Sequence, residues 1–128
     1  MTDTYAVISI QDSHTGGFGV TFAENQFCKG VLTLYFDDIV TEVDGAVLFD
    51  DDMADQIIDF IEKNKAEVDT LLVHCYAGQS RSRAVGAFAV DMLGGDNNKY
   101  FEEGTPNQYI YDVLESAWIR RQLNMLDE

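Results

Sequence analysis

The stretch TLLVHCYAGQSRSRAVGAFAVDML, residues 70–93, decides the fold. Its first six residues, Thr70–Cys75, form a short apolar run of strand length. Its last eleven, Arg83–Leu93, are apolar on nearly every side, which predicts a central, buried helix. Gly94 and Gly95 end that helix, because glycine accepts the backbone turn that closes a helical C-terminus. Only a short polar loop with one glycine joins the two elements. A strand turning directly into a helix is half of a βα unit, and that points to a parallel sheet.

The chain around this unit repeats the pattern. Tyr5–Ile10 and Val31–Phe36 read as two further strands, and Phe18–Phe22 as a short one. Met53, Ile57, Phe60 and Ile61 recur at helical spacing, predicting an amphipathic helix over residues 51–64. Asp50, Asp51 and Asp52 stand at its N-terminus, where the helix dipole favours negative charge. Thr105, Pro106 and Gln108 predict a capped start for a last helix over residues 106–124, with Ile110, Val113, Leu114, Ala117 and Arg121 on one stripe. The fold class is α/β: a small, mostly parallel central sheet flanked by helices, in a single compact domain spanning residues 1–128. In such sheets ligands bind beyond the C-terminal ends of the strands. Asp37 and Asp38 follow one strand there, and the loop after Cys75 follows another.

That loop has the chemistry of an anion site. Amides of Tyr76, Ala77, Gly78, Gln79, Ser80 and Arg81 can converge on one anion, and the helix N-terminus adds positive partial charge. Arg81 offers a planar fork that matches two phosphate oxygens. The same positive surroundings favour Cys75 as thiolate, the nucleophilic form of the side chain. An anion cradle with a nucleophile at its centre is what attack on a phosphate ester requires.

The segment His74–Ser82 resembles the His-Cys-x5-Arg-Ser/Thr signature of cysteine-dependent protein tyrosine phosphatases. His74, Cys75, Gly78, Arg81 and Ser82 match its defining positions. The nearest likeness is to compact dual-specificity-type enzymes and small predicted bacterial or phage phosphatases. Weaker likeness runs from about residue 31 to residue 93. The resemblance implies a phosphatase-type phosphate loop between a strand and a buried helix, and hydrolysis of phosphate monoesters through a phosphocysteine formed on Cys75. Arg81 and the loop amides then hold the phosphoryl oxygens, Ser82 hydrogen-bonds the sulfur, and His74 organises the loop. The resemblance also implies an aspartic general acid on the loop after the preceding strand. Asp37, Asp38 and Asp44 stand 38, 37 and 31 positions before Cys75. Related proteins commonly place the acid second in a short acidic or polar pair, which favours Asp38, with Asp37 and Asp44 as alternatives. Some relatives guard the nucleophile with a disulfide to a second cysteine, and here Cys28 is the only partner; an ordinary buried thiol is the commoner fate of such a residue. Tyr76, Phe49 and Tyr35 are aromatics that either stack on an aryl phosphate or fill core and rim, the second being the more frequent role.

Charge narrows the function further. Asp and Glu number 23 against 8 Lys and Arg, a formal net charge of −15. Residues 37–69 alone hold 12 of the acids and only 2 Lys. Such a balance argues against nucleic-acid binding and against docking on an anionic membrane. His14, Cys28, His74 and Cys75 have no zinc-like spacing, so neither metal nor cofactor is expected. No signal peptide or membrane segment is legible, and a cytoplasmic protein is the expectation. The favoured substrate is a phosphorylated protein or peptide, bearing phosphotyrosine or either class of phosphoresidue. Two alternatives stay open: the same chemistry on a phosphoinositide, nucleotide or RNA 5′-phosphate, and an acidic DNA mimic that binds phosphate without turnover.

Overall fold

In the computed structural model, residues 4–11, 28–68, 70–75, 80–102 and 106–126 are described. Three strands form one sheet in the order β2-β1-β3: β1 is Tyr5–Gln11, β2 is Cys28–Tyr35 and β3 is Thr70–Cys75. Both pairings are parallel, so the expected mostly parallel sheet is parallel throughout its described strands. The segment Phe18–Phe22 lies outside the described residues.

Parallel strands need crossovers, and helices supply the cover that a two-sided sheet requires. Helix α1, Asp51–Asn64, matches the sequence expectation at both ends. Asp50 caps it, its Oδ1 accepting from the Met53 amide at 2.9 Å. Gly30 lets α1 lie close to β2, since a Cβ there would stand 3.2 Å from the Phe60 ring. Helix α2 is Arg81–Met92, α3 is the short Asn98–Glu102, and α4 is Gln108–Leu126. Helix α1 packs on β2, α2 on β3, and α4 on both α1 and α2. One core cluster joins them: Ile8 and Ile10 of β1, Leu34 of β2, Ile57, Ile58 and Ile61 of α1, Val85 and Phe88 of α2, Ile110 and Leu114 of α4.

Several element ends differ from the sequence reading by one to three residues. Strand β2 begins at Cys28 rather than Val31, with a register shift beside Tyr5 that absorbs the extra residue. Helix α2 begins at Arg81, two residues before the apolar run, so Arg81 and Ser82 belong to its first turn. The cap of α4 is Asn107 and not Thr105: the Asn107 Oδ1 accepts from the Ile110 amide at 3.1 Å. Pro106 therefore precedes the cap instead of opening the helix. The stripe on α4 stands, with Ile110, Leu114 and Ala117 fully buried.

Candidate active site

Three segments meet beyond the C-terminal end of the sheet. They are the end of β3, the start of α2 and the loop that follows β2. Cys75 closes β3 opposite Ile10 of the central strand and is only 3% exposed. Arg81 opens α2 and is 5% exposed. A buried guanidinium must find acceptors, because its desolvation is otherwise uncompensated. Its Nη1 donates to the Phe36 carbonyl at 2.9 Å, which ties the start of α2 to the end of β2. The side chain of His74 and the residues Tyr76, Ala77, Gly78 and Gln79 lie outside the described residues. Of the positions expected to bind phosphate, Ser80 and Arg81 lie within them.

The two adjacent acids diverge. The Asp37 amide donates to the Val47 carbonyl at 2.8 Å, and the Val47 amide donates to Asp37 Oδ2 at 2.7 Å. Asp37 thus closes the base of the 37–47 loop with both its backbone and its side chain. Asp38 turns the other way. Its Oδ1 accepts from the Ser80 hydroxyl at 2.9 Å and from Asn107 Nδ2 at 2.8 Å. Ser80 directly precedes Arg81, so Asp38 is held against the end of the loop that joins β3 to α2. Asp44 stands in an exposed turn beside Gly45, whose φ of 80° only glycine adopts easily.

Asn107 is the residue that sequence reasoning missed. It is buried, and it joins three segments. Its amide donates to the Ser80 carbonyl at 3.0 Å, and its Nδ2 donates to Asp38 Oδ1 and to the Ile39 carbonyl at 3.1 Å. Its Oδ1 meanwhile caps α4. One residue therefore fixes the loop after β2, the end of the loop that joins β3 to α2 and a helix start relative to each other. The signal was present, since asparagine caps helices as well as threonine does. Pro106 favours the residue before it as a cap, because proline fits the first helical position.

Ser82 is buried in the first turn of α2 and, with Arg83, lines a cavity of about 330 Å³ together with Leu71, Val73 and Tyr100. Phe49 packs its ring 4.8 Å from Phe36 and is fully buried, which rules it out as a stacking surface for substrate. Tyr35 is exposed. Cys28 stands level with Tyr5 on the central strand and Cys75 level with Ile10. At about 3.3 Å per residue the two cysteines are roughly 16 Å apart along the sheet. A disulfide needs Cα atoms within about 7 Å, so the two do not pair in this fold. Neither is in a disulfide.

A second ionisable cluster lies behind the site, where α2 meets α4. Glu115 Oε1 is buried with no hydrogen-bond donor among the described residues. Burial, and then the side chain of Asp91, push the Glu115 carboxyl up to about 7. Burial and Glu115 raise the Tyr111 hydroxyl to about 12. Asn97 Nδ2 donates to that hydroxyl oxygen at 3.0 Å and to the Ala87 carbonyl at 3.2 Å, linking α4 to α2.

No protein-family model matches the chain, and no curated protein matches it. Solved structures do match. The human tyrosine phosphatase-like serine/threonine/tyrosine-interacting protein superposes over 94% of this chain and 80% of its own, with 20% identity and a TM-score of 0.64. Tk-PTP in its active form covers 90% of this chain and 78% of its own at 16% identity, with a TM-score of 0.55. PTPMT1 in complex with PI(5)P covers 92% and 81% at 16% identity, with a TM-score of 0.54. The chain has the fold of the cysteine-dependent protein tyrosine phosphatases.

Proposed function

We propose that this protein is a metal-independent cysteine phosphatase that hydrolyses phosphate monoesters on proteins or peptides through a phosphocysteine. One observation carries the reading most. At the end of the sheet where Cys75 stops β3, a buried arginine opens the next helix and an aspartate is bonded to the residue before it.

The first step is attack of the Cys75 thiolate on phosphorus, with the leaving oxygen departing in line. The Arg81 fork and the amides of residues 76–81 hold the three other phosphoryl oxygens. They are set in advance where charge redistributes, so little reorganisation is needed. The anchor from Phe36 fixes the guanidinium before substrate arrives. Asp38 gives its proton to the leaving phenolate or alkoxide. Its Oδ1 is engaged by Ser80 and Asn107, which leaves Oδ2 to face the leaving group. Asp37 is spent on the loop base, which favours Asp38 over its neighbour. In the second step water attacks the phosphocysteine, Asp38 takes up the proton, and the Cys75 sulfur leaves. Ser82 supplies the hydrogen bond that stabilises the departing sulfur, and His74 organises the loop.

A phosphorylated protein is the favoured substrate class. PTPMT1 was solved with PI(5)P, and that lipid class is the competing reading. The acids of residues 37–62 disfavour a polyanionic lipid or nucleic acid. Among the described residues no helix is long and apolar enough to cross a membrane. A cytoplasmic location is part of the same proposal. Wild type is expected to hydrolyse p-nitrophenyl phosphate in the presence of a chelator, and Cys75→Ser is expected to abolish that turnover. Turnover that survives in the variant contradicts the mechanism.

A further inference from the structure

Residues 37–62 contain ten acids and no lysine, arginine or histidine. The helical half of this segment is partly neutralised from within. Arg121 bridges Asp55 and Asp59 at 3.3 and 2.8 Å, and Arg120 approaches Asp51 at 3.5 Å. The loop half is not neutralised. Among the described residues no cation pairs with Glu42 or Asp44. Glu42 and Asp44 line a groove of about 540 Å³ with Val43, Leu48, Asp50 and Tyr109. That volume falls in the range of about 300–1,000 Å³ usual for ligand pockets. Val43 is 49% exposed there, and Val40 and Val47 stand exposed on the same loop. The groove is thus mostly polar, with Val43 and Leu48 as apolar patches beside negative charge that no described cation pairs.

Its position relates it to the candidate active site. The loop that forms one wall starts at Asp38, which is bonded to Ser80 of the phosphate loop. The other wall is the first turn of α4, fixed to the same Ser80 through Asn107. Asp38 and Asn107 thus tie both walls of the groove to Ser80, the residue before Arg81. We propose that the groove receives the residues flanking the phosphoresidue and selects a flank in which Lys or Arg stands beside an apolar residue. This rests on the phosphatase reading above and names its substrate class. The charge division is functional: the dianion goes to the buried arginine, and the cationic flank goes to Glu42 and Asp44.

The test uses two phosphotyrosine peptides of equal length, one flanked by Lys-Leu and one by Glu-Leu. Their binding to the Cys75→Ser protein is measured by fluorescence anisotropy, and p-nitrophenyl phosphate turnover by wild type is measured separately. The basic peptide is expected to bind about ten-fold more tightly at low salt, with the gap closing as salt screens it. Glu42→Lys in the same background is expected to erase most of the gap. Equal binding of the two peptides overturns the groove assignment, as does tighter binding of phosphoinositide vesicles than of the basic peptide. Loss of p-nitrophenyl phosphate turnover in wild type, with the basic preference intact, instead contradicts the phosphatase reading and leaves the groove standing.

Discussion

Two regions at one end of the sheet carry opposite charge patterns. The turn from Cys75 into α2 contains Arg81 and no acid, while the loop from Asp37 to Asp50 contains acids and no cation. The first is suited to a dianion and the second repels one. They are nonetheless bonded together, because Ser80 and Asn107 both donate to Asp38. The buried cation and the exposed acids stand on separate segments, which is what the proposed phosphate site requires of an acidic protein. The acid that touches the site is the one held there by two neutral donors.

Breaking the shared aspartate has the largest expected effect on this arrangement. Asp38→Asn is expected to lower kcat by about 10²-fold or more for substrates with poor leaving groups, in line with the contribution of a positioned acid. The loss is expected to be smaller for p-nitrophenyl phosphate, and the basic limb of the pH profile is expected to flatten. Asp37→Asn is expected to cost only a few-fold, through a looser 37–47 loop. If steady-state kinetics show the large loss and the flattened limb in Asp37→Asn instead, the assignment moves by one residue.

The stitch comes next. Asn107→Asp keeps a good helix cap but removes the Nδ2 donor and sets a like charge on Asp38. The expectation is a near-normal melting temperature with kcat down about ten-fold for poor leaving groups. Asn107→Ala loses both functions and is expected to be destabilised by about 1 kcal/mol as well. Equal kcat for wild type and Asn107→Asp contradicts a positioning role and leaves the residue only as a cap.

The smallest effect lies away from the site, at Glu115. Its carboxyl is raised from 4.5 to about 7 in the folded protein, so the folded state keeps a proton that the unfolded chain releases. The stability this group contributes is full below about 4.5 and is lost as pH rises through about 7. Glu115→Gln is neutral throughout, so its melting temperature is expected to fall less between pH 5 and 8, a range that brackets the shifted group. Parallel melting profiles for the two proteins contradict the assignment.

Much of this was legible in the sequence, for identifiable reasons. Strand β3 and the body of α2 are apolar runs, and burial on all sides leaves a pattern that needs no partner to be read. The ends of α1 were legible because Asp50 is both a cap and the end of a loop. The first turn of α2 was not, because Ser80, Arg81 and Ser82 are polar and carry no hydrophobic period. Choosing between Asp37 and Asp38 from residue chemistry was also beyond the sequence. The two acids are identical and adjacent, so only the resemblance favoured Asp38, and in the structure their hydrogen bonds to Val47 and to Ser80 separate them. Asn107 was hidden for a related reason. Its significance lies in contacts with residues 69 and 27 positions earlier, which no local pattern records.

The central claim is that Cys75 carries the phosphoryl group between two steps. Rapid quenching of wild type with a saturating aryl phosphate, followed by mass spectrometry of the peptide that contains Cys75, tests it most directly. The account predicts a phosphoryl adduct on Cys75 that builds up further in Asp38→Asn and is absent in Cys75→Ser. Full turnover with no adduct on Cys75 at any quench time, or an adduct on another residue, would contradict it.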